Sequence, residues 1–556
     1  MAINITGGDI YASVEGSNAS PAIGGGVVAG TKGMYGGDIS ITGGYIEASS
    51  ESGPGIGAGG TNAATGTLTL DWSDTDDPYN GRPEIKSSSY RLESVVYKSD
   101  TDGSSGTRAF ALKADPNTPL STSDILGYTD TATTIIPSYT GIIYLDVSVD
   151  PDTHKVSTFA RSLAAGDYEI LNTSSLGSEG ETKWYAVTSD TVFSSRMTIS
   201  GDVGLILCND TELTASGGIE VPEESKLFIY QQPEKNGEAA GTLTAKAVDG
   251  TGNAGIGGND LKISGDITIN GGTVNACGAK AQADNTGSAA IGGGRDKPCK
   301  SITINYGTVI ANNNSGGYNH VRGAAIGCGG SNSGSYNKNN TGIVEINGGN
   351  ITAKGGCCAA GIGGGQRYTG GTIKIYGGTI SATSNYHSNG RSGGAGIGGG
   401  WNGHAGNIFI YGGEITAAGT RFDNAFGAGI GCGCSQEGGS IYISGGTIRA
   451  TSVDTKRGIG GGSNTPSTTI NLDWTRGTFD STEITADAYA GTVNFVKPYI
   501  LKNERVTARR SNMDGVTIIP GIALSGVMTE GRKYEDGDFT NDDTSITIPA
   551  NSGFTT

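Results

Sequence analysis

The residues best suited to chemistry in this chain lie in short loops that recur at nearly even spacing. Three of its four histidines fall between positions 320 and 404, each near aromatic or basic residues. One set of loops carries Tyr318, Asn319, His320 and Arg322, then Tyr386, His387, Asn389 and Arg391, then Arg421, Phe422, Asp423 and Phe426. A second set carries Tyr336, Gln366, Arg367, Tyr368, Trp401, Asn402 and His404. Such mixtures suit a sugar, because an aromatic face stacks on the ring while amide, guanidinium and imidazole groups take the hydroxyls. The expected glycan contacts are His320, Arg322, Tyr368, Tyr386, His387, Arg391, Trp401, His404, Arg421, Phe422 and Asp423; the bland alternative is a series of unrelated surface loops.

Hydrolysis of a glycan requires two carboxylates roughly 5–10 Å apart. Acids are sparse in this region, and Asp423 with Glu414 is the pair that sits among the most site-like neighbours. A lyase would draw on His387, Arg391 and Arg421 for the base and for charge neutralisation. Neither arrangement matches a catalytic motif. Asp74 and Asp76, like Asp536 and Asp538, are hard oxygen ligands of the kind that hold Ca²⁺, but without the twelve-residue EF-hand spacing, so solvated turns are the competing reading. No other cofactor is expected. The eight cysteines include the vicinal Cys357-Cys358 and Cys432-Gly433-Cys434, neither with zinc-site spacing. They read as small buried thiols or as disulfides between neighbouring coils, with Cys277–Cys299 the first pair to consider.

The elements that must position these loops are set by two repeated phrases. The first is Ala-Gly-Ile-Gly-Gly-Gly and its variants, with isoleucines at 23, 56, 256, 291, 326, 362, 397, 430 and 459. From Ile256 the steps are 35, 35, 36, 35, 33 and 29 residues, a period that marks a repeat architecture. The second is Ile-x-Ile-x-Gly-Gly-x-Ile-x-Ala, as in Ile373 to Ala382 and Ile408 to Ala417. Its alternation predicts two strands with one buried face, joined at a Gly-Gly bend. Each period therefore makes strand, bend, strand, loop, strand and glycine corner, which is one coil of a three-faced solenoid. A lone coil cannot bury its isoleucines; stacking a neighbour about 4.8 Å away pairs every strand and extends the apolar column. The inward column should contain Ile269, Ile304, Ile346, Ile375, Ile410 and Ile443, with Thr268, Thr303, Glu345, Lys374, Phe409 and Tyr442 facing outward. The fold class is all-β, a right-handed parallel β-helix, with the hand taken from the usual crossover preference.

A longer duplication overlays these coils. Thr67-Leu68-Thr69-Leu70-Asp71-Trp72 matches Thr469-Ile470-Asn471-Leu472-Asp473-Trp474, and each is followed by Thr-Ile-Ile-Pro, at 134–137 and 517–520. The expected organisation is 1–66 as the last coils of a first unit, 67–141 as its cap and junction, and 142–249 as the N-terminal cap and first strands of a second unit. Repeats then fill 250–468, a cap and junction 469–525, and a C-terminal β segment or the start of a further unit 526–556. Because the first coil begins near residue 3, its edge is expected to meet a preceding unit of the same long chain or to self-associate.

The 98 glycines lack a three-residue period, which excludes collagen. A formal net charge of −17 argues against nucleic-acid binding. No apolar run approaches 18 residues, so no membrane-inserted helix is expected, and residues 1–20 lack the basic and apolar regions of a signal peptide. The glycine triplets lack the Lys-Ser/Thr of a phosphate loop and read as structural corners.

The alternation of the two phrases resembles glycine-rich repeats of very large surface proteins from Gram-positive anaerobes, including gut Firmicutes, and the pectin-lyase-like β-helix superfamily. The resemblance covers roughly residues 3–66 and 250–468. It implies an extracellular or cell-surface location and a structural or adhesive role, presenting loops to glycans or other host surface molecules. The superfamily also contains polysaccharide lyases and glycoside hydrolases, so an enzyme and a purely mechanical spacer remain alternatives. No catalytic residue carries over.

Overall fold

The computed structural model describes residues 2–16, 20–25, 37–59, 66–70, 84–97, 110–112, 115–126, 133–137, 141–233, 237–279, 286–313, 321–331, 339, 342–385, 393–422, 425–434, 436, 438–453, 457–462, 468–473, 483–486, 489–490, 492–495, 499–501, 517–520, 527–529 and 532–534. It divides into one unit of 1–144 with 159–166, and a second of 145–158 with 167–556.

The second unit is a right-handed parallel β-helix with three faces. The Ile-x-Ile strands form the first, running through Lys226–Gln231, Asp266–Ile269, Ser301–Ile304, Ile343–Ile346, Thr372–Ile375, Asn407–Ile410, Ser440–Ile443 and Thr469–Leu472. The second contains Thr242–Lys246, Thr273–Cys277, Thr308–Asn312, Asn350–Cys357, Thr379–Asn385, Glu414–Ala418 and Thr447–Thr451. The third is the two-residue Ile-Gly strand of each corner, from Ile256–Gly257 to Ile459–Gly460. Pairing is in register with the repeat: Ile375 lies opposite Ile346 and Ile410, and Ile397 opposite Ile362 and Ile430. A one-residue slip would turn each isoleucine outward, so burial fixes the register.

The inward positions form one continuous apolar column, and Ile269, Ile304, Ile346, Ile375, Ile410 and Ile443 are fully buried in it. Each such side chain contributes on the order of 1.5–3 kcal/mol relative to exposure.

The glycine corner divides its work among its members. The first glycine takes a positive φ in every coil, between +121° at Gly363 and +140° at Gly431. At Gly398 (φ +128°) a Cβ would also fall on the carbonyl of Gly431 in the next coil; at Gly400 it would fall on the carbonyl of Gly365 in the preceding one. The close approach of backbone to backbone explains why side chains are excluded there.

At the opposite bend, after the second isoleucine, side chains do the stacking. Asn305 Nδ2 donates to Asn270 Oδ1 and Asn347 Nδ2 to Asn305 Oδ1, both at 2.8 Å. All three are buried, so the ladder gives Asn270 Oδ1 and Asn305 Oδ1 the donors that water cannot supply, and Asn347 Oδ1 ends it without one.

Parallel stacking outruns the repeated phrase. Ile484 pairs opposite Ile448, Tyr489 opposite Ile459 and Phe495 opposite Leu472. The apolar alternation persists after the glycine corner is lost, and it is the alternation that keeps a coil in the stack. Two antiparallel strands then end the sheet that holds Ile484: Thr517–Pro520 places Ile518 opposite Ile484, and Tyr499–Leu501 pairs beyond it with Ile500 opposite Ile519.

The first unit repeats this plan. Ile39, Ile41, Ile46 and Ile56 fill its core, Ile56 pairs with Ile23 and Tyr90, and Thr133–Pro137 turns the sheet antiparallel with Ile135 opposite Ile85, followed by Phe110–Leu112 and Asp115–Leu120. The duplication is thus structural as well as sequential. Among the described residues one short helix, Thr122–Leu126, interrupts the strands. Ser121 and Asp124 cap it reciprocally, with Ser121 N donating to Asp124 Oδ2 at 2.7 Å and Asp124 N to Ser121 Oγ at 3.2 Å.

The second unit starts with a different device. Arg196 is half-buried and donates to the carbonyls of Gly217 and Ala254 at 2.9 and 2.8 Å, with further bonds to Ile219, Gly257 and Asn259. One guanidinium there satisfies carbonyls in successive coils.

Candidate functional site

The two loop sets meet along the glycine-corner edge through a regular hydrogen-bond ladder. The residue four after each corner isoleucine donates its N–H to the carbonyl of the residue four before the corner isoleucine of the preceding coil. The series is Arg295 to Gly252 (2.9 Å), Gly330 to Gly287 (2.7 Å), Gln366 to Arg322 (2.9 Å), Trp401 to Cys358 (2.7 Å) and Cys434 to Gly393 (2.6 Å). Loops from different phases of the repeat are thereby brought onto one strip parallel to the stack.

Side chains along this strip engage one another. Arg322 Nη1 donates to Gln366 Oε1 at 2.9 Å. The Arg367 guanidinium lies over the Trp401 ring, 5.5 Å from its centroid. Arg295 grips Asp260 with two bonds of 2.7 and 2.8 Å. Arg322, Trp401 and His404 are half-buried.

Tyr368, expected as a sugar contact, is a packing residue. It is 5% exposed and its hydroxyl donates to Asp296 Oδ1 at 3.0 Å. Burial, then the neighbouring Asp296 charge, pushes its phenol well above the ordinary range. The spacing that placed it in a loop carried no information on which way its ring would turn.

Arg421 is exposed on a small antiparallel pair, Arg421–Phe422 with Ala425–Phe426. Arg457 stands 5.3 Å from the Phe426 ring centroid at the same place. Of Phe422 only the backbone is described, and His320, Tyr386, His387, Arg391 and Asp423 lie outside the described residues, as do Asp74, Asp76, Asp536 and Asp538. Glu414 is exposed on the outer side of its strand, with Thr379 and Thr447 as register neighbours. Another acid of the coils, Glu345, pairs with Lys374 at 3.6 Å. Among the described residues no group of three or more His, Cys, Asp or Glu is arranged to hold a metal ion.

A feature the loop-centred reading passed over lies at the bend that carries the asparagine ladder. In the two coils after Asn347 that position becomes Tyr376 and Tyr411, whose rings stack with centroids 4.8 Å apart and planes 14° from parallel. His154 closes the other face of Tyr376, at 3.5 Å and 8°. Phe409 and Tyr442, on the adjoining strand face, stand 6.3 and 6.0 Å from Tyr411. The signal was present in the sequence: Asn270, Asn305, Asn347, Tyr376 and Tyr411 each follow the second isoleucine of their coil. The ring faces of Tyr376 and Tyr411 point along the stack, so this column spends them internally.

All eight cysteines are thiols, so Cys277 and Cys299 are not bridged. Burial raises the Cys299 thiol to about 12. Cys432 Sγ accepts from Ala405 N at 3.2 Å.

A β-helix repeat family model matches residues 39–60, 267–295, 344–366, 373–401 and 410–434, all within the run of coils. By architecture the chain is a β-helix repeat protein. Neither a curated protein nor a solved structure matches it. The matched segments contain both strand faces, the corners, and the Gln366 and Trp401 positions, with Arg367 immediately beyond one of them, so much of the strip is built on repeat positions.

Proposed function

We propose that this β-helix repeat protein belongs to a larger secreted or cell-surface chain with a structural and adhesive role, and that its corner edge binds glycans. The observation that carries the reading is the convergence of both loop sets on one strip, with Arg322, Gln366, Arg367 and Trp401 on successive coils. Coil spacing of about 4.8 Å sets guanidinium, amide and indole groups at intervals along a line, which suits an extended saccharide better than a compact ligand. The acidic chain, at −17, favours neutral or basic partners over nucleic acid.

A mechanical role without a ligand is the second reading. It is favoured by how many of these side chains already contact other coils, Arg322 with Gln366 of the next coil and Tyr368 with Asp296 two coils before among them. A glycan array run on the full chain and on Trp401→Ala distinguishes the two. Saturable binding to extended glycans, weakened about 10-fold or more by the variant, supports the adhesive reading. Equal binding by the variant removes the corner edge from the account. Absence of binding to any glycan on the array leaves the mechanical role.

A further inference from the structure

Cys357 and Cys358 adjoin in sequence and in space, their Sγ atoms 3.2 Å apart. Cys357 ends the strand Asn350–Cys357, and Cys358 turns the chain with φ +68°, a left-handed conformation that a non-glycine residue adopts only when its surroundings hold it there. Three hydrogen bonds supply that restraint. Gly356 N donates to Gly323 O of the preceding coil at 3.0 Å, Ala359 N to Gly356 O at 3.2 Å, and Trp401 N of the following coil to Cys358 O at 2.7 Å. The turn is clamped from both sides with the two sulfurs facing each other.

We propose that Cys357 and Cys358 are a redox modification site, closing to a vicinal disulfide by exchange with a small organic disulfide. In the first step the Cys357 thiolate attacks one sulfur of the oxidant RSSR, forming a mixed disulfide and releasing RS⁻, which takes up the Cys358 proton. In the second, the Cys358 thiolate attacks Cys357 Sγ and releases the second RS⁻, which is protonated from solvent by the proton Cys357 gave up. The sum is two protein thiols and RSSR giving one protein disulfide and two RSH, with two electrons passing to the oxidant.

Charge and hydrogen bonding assign the attacking sulfur. The S–H of Cys358 stabilises a thiolate on Cys357, and the Arg322 guanidinium adds to this, so Cys357 is held below the usual thiol range. Cys358 is driven the other way, first by that shared hydrogen bond and then by burial. The thiolate is the reactive form in exchange. The other buried cysteines lack this arrangement: desolvation alone raises Cys208 to about 11, and it dominates at Cys328. The site also lies beneath the corner strip, because Cys358 O accepts from Trp401 N at 2.7 Å and the Arg322 charge acts on both thiols.

The test is graded oxidation of the folded, full chain with oxidised glutathione, followed by alkylation and peptide mapping by mass. The expected result is that the peptide holding both residues loses two alkylatable thiols before the other six cysteines react, with a mass decrease of two hydrogens and no retained glutathione. Cys358→Ser should instead accumulate a glutathione adduct at Cys357, while Cys434→Ser should leave the outcome unchanged. Retention of both thiols at oxidant levels that modify other cysteines would overturn the proposal, as would a Cys358–Cys434 bridge between coils. If Cys358→Ser folds poorly, urea midpoints of the reduced and oxidised wild-type chain, measured beside the mass map, keep the comparison interpretable.

Discussion

Two edges of the same solenoid solve the stacking problem in opposite ways. At the glycine corner the backbones of adjacent coils touch, and the first glycine combines a positive φ with a carbonyl where a side chain would start. At the bend after the second isoleucine the backbones leave room and side chains fill it, first as asparagine amides and then as stacked rings. The first glycine of the corner accepts little variation, since its Cβ would collide with the backbone of the next coil, whereas the position after it carries Cys328 and Cys432 in two coils. The bend accepts several side chains, asparagine stacking on asparagine in three coils and tyrosine on tyrosine in two, before it changes to Ser444. Regularity of sequence therefore marks the corner, and local self-similarity marks the bend.

The largest effect that comparison predicts is at Gly398. Valine there must adopt φ near +128° and displace the Gly431 carbonyl, adding strain to a collision with main chain. Loss of about 4 kcal/mol or more is expected, read as a lowered urea midpoint of the second unit. Gly180→Ala is the control, with φ +77° but no atom within 4 Å of the added Cβ. It should cost only about 1–2 kcal/mol. Equal losses in the two variants would mean that backbone contact is irrelevant at the corner.

Ile375→Ala probes what both edges serve. The side chain is fully buried between Ile346 and Ile410. Truncation should cost about 2–5 kcal/mol, depending on how far the column collapses. A change below about 1 kcal/mol would deny that the apolar column organises the coils.

Much of this was legible in the chain, and the reasons are physical. The inward isoleucines follow from alternation alone, and the corners from glycine spacing, because both are imposed by backbone geometry shared by every coil. The fate of loop side chains is not imposed in that way. Tyr368, six residues after its corner isoleucine, turns inward to Asp296, while Trp401, four after its own in the next coil, stays half-exposed under Arg367, and neither offset by itself says which way the ring turns. The reach of the stack beyond Ile459 was also hidden, because Tyr489 and Phe495 keep the alternation without the repeated phrase.

Asn305→Ala tests the amide half of the bend. It deprives Asn270 Oδ1 of its donor and Asn347 Nδ2 of an acceptor, although Asn347 keeps Glu345 at 3.3 Å. Leaving a buried amide oxygen unpaired costs about 1–3 kcal/mol, so the loss should fall below that of Ile375→Ala. Replacement by Asp should be worse than by Ala, because a buried carboxylate has no proton to give to Asn270. If Asp is tolerated, water or a cation reaches the bend and the ladder is not sealed.

The smallest effect is expected at the aromatic half. Tyr411→Leu removes one ring from a column in which Tyr376 already has His154 on its other face. Leucine restores much of the apolar contact, so only the stacking increment is lost, about 0.5–1.5 kcal/mol. Because these faces point along the stack, the same variant should leave glycan binding unchanged while Trp401→Ala weakens it. Measuring both variants for urea midpoint and for binding to one array-selected glycan sets the edges against each other. A loss of binding in Tyr411→Leu with an unchanged midpoint would move the ligand surface from the corner to the bend and reverse the assignment of the two edges.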